Sequence, residues 1–355
     1  MRTALILLTT AFGYVGVENL IFNAGWYAKI VNPDSSTGQV NEFLYNEHHR
    51  LKIGGKQVLA IGDSRMGFFP RFVNAHPGID YTFGTIAVPG STPRDWYYMF
   101  RDIDPTRTQY TAVLIPVENY DDVEGWEINA DRETDLHYVI AQLRWSDIPE
   151  FAGSYVSPSL KAKAALGILL KGSVYRADFQ DFLADRKKRL DYVHQVQRDS
   201  FGWVYDYEGP SYNVSGDEID WKAHTILVPP DHRPDEAKLF TDRLFPPPAP
   251  ATGRRTAYLS YWFNRIYDLY RGTRTRIIIF RLPRGPYPPP DAPPRNEHSS
   301  VRELARKPGV ILDDEHYFDS LERPELFQDP MHLNGAGEAE FSKMLGKHVQ
   351  ELLSK

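Results

Sequence analysis

Val58-Leu59-Ala60-Ile61-Gly62-Asp63-Ser64-Arg65-Met66-Gly67-Phe68-Phe69 is the stretch around which the rest of the chain is arranged. It opens with a short apolar run bounded by glycine, the pattern of a buried strand. The run ends in Gly62-Asp63-Ser64 and passes into a segment with helical leanings. A serine at a strand-to-helix turn is held rigidly by the strand. The amide N–H groups that follow point toward it, and the helix dipole favours an anion beside it. Alone, these three residues describe a turn with an N-cap serine. The far end of the chain adds Asp329-Pro330-Met331-His332-Leu333-Asn334-Gly335, an acid and a histidine three apart before a helix.

Outward from this stretch, strands alternate with helices. Gln57–Ile61 is the first strand and Tyr81–Val88 the second. The second closes at Pro89-Gly90-Ser91-Thr92-Pro93, where Thr92, Pro93 and Asp95 supply an N-cap, a first-turn proline and a first-turn acid. The helix they start runs through Trp96, Tyr97, Met99 and Phe100. Ala112–Val117 is the third strand, followed at once by Glu118-Asn119-Tyr120-Asp121-Asp122. Thr256–Arg271 reads as a helix, Arg276–Phe280 as a buried strand, and 281–294 as a Pro-rich loop. Ser300 with Glu303 predicts a capping box, and Val310–Asp313 the last strand. Asn334 caps a final helix carrying Phe341, Met344, Leu345, Val349 and Leu352 at helical spacing. Such alternation predicts a parallel sheet covered on both faces. Functional groups then gather at the carboxyl ends of the strands, where Ser64, Gly90, Asn119 and the Asp329/His332 loop all map.

Two regions stand outside this alternation. Met1-Arg2 precedes an apolar run, Ala4–Val17, about the length of a signal-peptide core. The expectation is an uncleaved signal anchor and a polar stem over 1–52, with the rest of the chain outside the cytoplasm, at the cell membrane. A secreted or periplasmic chain, or an N-terminal helix packed on the body, is the alternative. Residues 53–355 then form the main domain, interrupted by an insertion over about 126–255. Within it, Ala177–Arg198 reads as a charged amphipathic helix with Lys187-Lys188-Arg189 on its solvated face. Trp203, Tyr205, Tyr207, Tyr212 and Trp221 are suited to stacking on sugar rings or to ordinary core packing. Phe245–Pro250 is a Pro-rich loop.

Composition narrows the chemistry. The 355 residues are 42% hydrophobic and 25% charged, enough to bury a core. Net charge is −6, with basic residues scattered, so nucleic acid is not the expected partner. There is no cysteine, which removes disulfides, thiolate metal sites and a cysteine nucleophile. His48-His49 and Asp231-His232 show no recognisable metal-ligand spacing and read as solvated loop residues, so no metal or other cofactor is expected.

A serine hydroxyl needs a base to take its proton, and histidine does this near neutral pH. A carboxylate on the other ring nitrogen holds the tautomer and stabilises the imidazolium. The Asp329-to-His332 spacing lets Asp329 reach Nδ1 while Nε2 faces Ser64. Acyl transfer also needs donors for an oxyanion. The Ser64 N–H, the Gly90 N–H and the Asn119 side-chain amide are the candidates.

This set resembles the SGNH/GDSL family of serine hydrolases over roughly Gln57–Asn119 and Arg276–Lys355. The family's Gly-x-Asn-Asp stands here as Val117-Glu118-Asn119-Tyr120, and Arg65 follows the serine where many members carry a small or apolar residue. The resemblance implies a flavodoxin-like three-layer α/β/α sandwich. It implies Ser64 as nucleophile, His332 as base, Asp329 as its orienter, and an oxyanion hole from Ser64, Gly90 and Asn119. It further implies an esterase or O-acyltransferase working through an acyl-Ser64 intermediate on acylated carbohydrate. An N-terminal anchor on such a domain looks like the DltD-like and alginate-acetylation groups, which work beside a membrane-bound O-acyltransferase. A non-catalytic binding or assembly protein with the same fold is the reading from a different class.

Overall fold

The computed structural model describes residues 2–50, 55–122, 130–199, 211–245, 252–291 and 294–355. Strands β1 (Gln57–Gly62), β2 (Thr82–Ala87) and β3 (Ala112–Val117) form the first half of the central sheet. An antiparallel hairpin, β4 (Glu218–Asp220) and β5 (Thr225–Leu227), stands apart from it. β6 (Arg276–Arg281) and β7 (Val310–Leu312) complete the sheet, whose order is β2-β1-β3-β6-β7 and whose pairings are all parallel. Every residue of β1 is buried, because β1 has a strand on each side and helices over each face. That is why its sequence is a continuous apolar run rather than an alternating one.

Among the helices are α1 (Arg2–Asn23), α2 (Ser36–Arg50), α3 (Pro93–Ile103), α4 (Arg176–Ala184), α5 (Arg186–Asp199), α6 (Glu236–Leu244), α7 (Thr252–Tyr270), α8 (Ser300–Ala305) and α9 (Gly335–Ser354). α3, α7 and α8 pack together in one layer. α9 packs with the short helix Phe69–Val73 in the other, giving the three-layer α/β/α sandwich. The approach there is close. A Cβ on Gly346 of α9 would run into the Val73 side chain, so only glycine lets the two helices meet. Phe341 of α9 touches the rings of Phe68, Phe69, Phe280 and Phe318, tying both ends of the chain into one core.

α3 starts as its sequence predicts. Thr92 and Asp95 form a reciprocal capping box around Pro93. α8 does not. Its cap is Ser299, which accepts from the Arg302 N–H, and Ser300 instead bonds Asp122 through both its N–H and its hydroxyl at 2.7 Å. The expected single helix over 177–198 is two, broken at Asp185, where the backbone leaves the helical region. Lys187 and Lys188 are solvated, but Arg189 turns inward, bonding the Ile30 carbonyl and lying 3.7 Å from Asp178.

The segment expected to be a polar stem carries α2, with Val40, Phe43 and Glu47 buried against the body. The Glu47 carboxylate accepts from the Tyr110 hydroxyl at 2.8 Å. His48 and His49, read as loop residues, lie on this helix, and His49 bonds the Tyr45 carbonyl. At the end of α1, Phe22 stacks on Tyr27 at 5.2 Å and Glu18 accepts from the Gly172 N–H. Earlier in α1, Leu5, Ile6, Phe12 and Val17 are exposed. No helix among the described residues is long and apolar enough to cross a membrane. The expected stem end at Lys52, the insertion start at Trp126, the aromatics Trp203, Tyr205 and Tyr207, and residues 246–250 lie outside the described residues.

Candidate active site

β1 ends at Gly62, where a Cβ would sit 2.9 Å from Met66 and 3.0 Å from Pro116, so the tight turn requires glycine. Asp63 is the cap of this turn. Its carboxylate accepts from the Arg65 N–H at 3.0 Å. The capping role that Ser64 could have taken therefore falls to its neighbour, and the Ser64 hydroxyl lies 2.8 Å from His332 Nε2.

The other end of the site is a self-bonded loop before α9. Asp329 Oδ1 accepts from the N–H groups of Met331 and His332, each at 2.7 Å. Its Oδ2 lies 2.7 Å from His332 Nδ1. The Gln328 N–H donates to the His332 carbonyl, and the Asn334 side chain caps α9 through Ala336 and Gly337. The histidine ring is thus fixed by its own backbone, by the acid and by the helix start. Burial pushes the Asp329 carboxyl upward, but the hydrogen bond and charge of His332, with the two amides, outweigh it and hold it below the usual carboxylate range. With Asp329 on Nδ1, the other ring nitrogen, Nε2, is the one that meets the Ser64 hydroxyl, the arrangement in which an imidazole can accept a hydroxyl proton.

Gly90 and Asn119 follow the strands on either side of β1. In the sheet register Gly62 pairs with Ala87, three residues before Gly90, while Asn119 is the second residue after β3. Gly90 has φ +71°, and a Cβ there would lie 3.0 Å from the Tyr138 hydroxyl. Its carbonyl accepts from Arg132 at 2.5 Å. Ser91, which the sequence reading passed over, joins this turn to the nucleophile turn. It donates to the Gly62 carbonyl at 3.0 Å and accepts from Trp96 Nε1 at 2.9 Å. Asn119 uses its side-chain oxygen to accept from the Asp121 N–H at 3.0 Å, an Asx turn.

A cleft at Ser64 and His332 is walled by Phe68, Leu282, Pro283, Met331 and Leu333, an apolar surface. An adjoining, more polar cavity is lined by Asp63, Ser91, Trp96, Glu118 and Asn119. Arg65 lines both. It lies 2.6 Å from Asp63 and 3.2 Å from Glu118, and Arg243 of α6 reaches Glu118 at 3.5 Å. Burial pushes Asp63 and Glu118 upward, but Arg65 outweighs it at both, with Arg243 helping at Glu118, and both stay below the usual range. Asp63 is local to Arg65, but Glu118 and Arg243 are distant in sequence, and no local pattern could have brought them in.

His332 is bonded to the Ser64 hydroxyl. The one group of His, Asp and Glu side chains among the described residues placed to hold a metal is Asp217, His232 and Glu236. His232, read from sequence as solvated, has a side chain that is 2% exposed. The turn between β5 and α6 folds it inward. No protein-family model matches the chain, and no curated protein matches it.

Proposed function

We propose that the protein is a serine acyl-ester hydrolase or O-acyltransferase of SGNH type, acting through an acyl-Ser64 intermediate on acylated envelope or extracellular carbohydrate. The observation that carries this is the continuous line from Ser64 Oγ to His332 Nε2 and from His332 Nδ1 to Asp329, with links of 2.8 and 2.7 Å. His332 takes the serine proton as Oγ attacks the acyl carbonyl. The carbonyl oxygen becomes an oxyanion, for which Ser64 N–H, Gly90 N–H and the Asn119 amide are the assigned donors. Collapse expels the alcohol, protonated by the imidazolium, and leaves the acyl group on Ser64. Water then gives hydrolysis, and a sugar hydroxyl gives transfer. His332 activates either one in the same way.

Localisation belongs to the same reading. The exposed apolar side chains of α1 support a membrane-held chain with its catalytic body outside the cytoplasm, where a membrane-bound O-acyltransferase would be a partner. The test is mass spectrometry of the protein after exposure to p-nitrophenyl acetate, with and without a candidate oligosaccharide. An adduct on Ser64 that clears in water identifies a hydrolase. An adduct that waits for the sugar and moves to it identifies a transferase. Ser64 that never labels would overturn the enzyme reading in favour of a binding or assembly role.

A further inference from the structure

The hairpin-and-helix segment 211–245 carries a set of side chains that the serine chemistry does not use. Asp217 follows the turn at Gly216, just before β4. His232 lies in the turn after β5, and Glu236 opens α6. His232 Nδ1 is 3.4 Å from Asp217 Oδ1 and 3.3 Å from Glu236 Oε1. One ligand atom from each residue lies within 4.8 Å of the other two. The side chains of Asp217 and Glu236 are 0% exposed and that of His232 is 2% exposed.

Among the described residues, neither oxygen of Asp217, neither oxygen of Glu236, nor Nδ1 of His232 makes a hydrogen bond. Buried carboxylate oxygens are ordinarily satisfied by donors, because losing water without replacement is costly. Here five polar atoms face one another instead. Nor would their charges balance if all were ionised: two carboxylates against one imidazolium leave an excess of negative charge, and burial pushes both acids above their ordinary values. A divalent cation would correct both faults. The spacing fits one. A tetrahedral ion with bonds of about 2.0–2.1 Å sets neighbouring ligand atoms about 3.3–3.4 Å apart, which is the spacing His232 makes to both acids.

We propose that Asp217, His232 and Glu236 bind one divalent transition-metal ion, zinc before manganese or iron. One imidazole nitrogen and two carboxylate oxygens, with no thiolate, form a donor set for these ions rather than for calcium or magnesium, which prefer all-oxygen shells. The ion pins the β4–β5 hairpin to α6. A hairpin of two three-residue strands is too small to hold its own register, so a cross-link at its base has structural work to do. The segment it stabilises abuts the catalytic loop. The Tyr212 N–H donates to the Gln328 carbonyl at 2.7 Å, one residue before Asp329. The Tyr287 hydroxyl also holds the Val214 carbonyl. The proposal stands apart from the serine mechanism and survives its failure.

The test uses the full chain, dialysed against a chelator and then titrated with zinc in competition with a chromophoric indicator. One equivalent of zinc bound per chain, with a rise in Tm on its addition, is the expected result. Asp217→Asn, nearly isosteric, and Glu236→Gln are expected to weaken zinc at least about tenfold and to abolish the rise in Tm. His316→Ala, at an exposed His–Asp pair, is expected to leave both unchanged. Sub-stoichiometric zinc on the unaltered chain overturns the proposal and shows that the three groups share protons instead. Full binding retained by a folded Asp217→Asn chain, judged by circular dichroism, overturns it by placing the ion elsewhere.

Discussion

Arg65 and Glu118 lie 3.2 Å apart, joining the nucleophile turn to the turn that carries Asn119. Each supplies the other with a counter-charge. Without Arg65, Asp63 would lose its guanidinium partner and Glu118 would be left with Arg243 at 3.5 Å. Without Glu118, a buried guanidinium would rely on Asp63 alone.

Arg65→Met is therefore expected to destabilise the fold by about 3–5 kcal/mol, the usual cost of stranding buried charge. Arg65→Met combined with Glu118→Gln should recover part of that loss. Urea unfolding of the two single variants and the double variant gives the coupling, and additive losses would refute the pairing.

Asp329→Asn should leave the fold intact and lower acyl-ester turnover on the order of 10⁴-fold, because the amide favours the wrong imidazole tautomer. Ser64→Ala should lower it by at least about 10³-fold. Initial rates on p-nitrophenyl acetate check both, and an unchanged rate in either variant would falsify the mechanism.

Acid should unfold the protein in a defined window. Asp63, Glu118 and Asp329 all ionise below their ordinary values of 3.8, 4.5 and 3.8. Depressed folded-state values mean that the native protein binds fewer protons than the unfolded chain. The resulting stability is complete above those ordinary values and is lost as pH falls through the lower folded ones. The urea midpoint should fall steeply below about pH 4. Asp329→Asn, which cannot titrate, should flatten that limb. An acid limb identical to that of the unaltered chain counts against the assigned partners.

Gly90→Ala tests the oxyanion turn. A side chain at φ +71° costs about 1–2 kcal/mol, and its Cβ would press on the Tyr138 hydroxyl. Ser64 labelling should slow while the Ser64–His332 pair stays assembled. A labelling rate equal to that of the unaltered chain would remove Gly90 from the site.

The exposed apolar residues of α1 are expected to send the full chain to the membrane fraction. Replacing Leu5, Ile6, Phe12 and Val17 with serine should release it, since each lost apolar contact weakens interfacial binding. A full chain found only in the supernatant contradicts membrane attachment.

The central sheet was legible because its strands are short apolar runs with glycine or proline at their ends. Gln57–Ile61 and Ala112–Val117 needed at most one residue of adjustment. That Ser64, Asp329 and His332 come together was legible because local spacing fixed two of the three. What the sequence hid was long-range. Nothing near Arg65 announces Glu118 or Arg243, nothing near Ser91 announces the Gly62 carbonyl, and His232 meets Asp217 only after a hairpin has folded. α2 was hidden by its polar composition, although its Val40 and Phe43 are buried. The break at Asp185 was hidden by helix-favouring residues on both sides, and the capping serine of α8 was misplaced by one because two serines stand together.

The Ser64–His332 link spans 268 positions of the chain. Ribosomes add about 5–20 residues per second, so the nucleophile leaves the tunnel roughly 10–60 s before its base is even synthesised. Through that interval the Ser64 hydroxyl has no His332 beside it, and the proposed mechanism could not run. The pair can form only after the loop before α9 has been made and packed. On the proposed mechanism a truncated copy would lack the base, and turnover would report that these two distant parts of the chain have met.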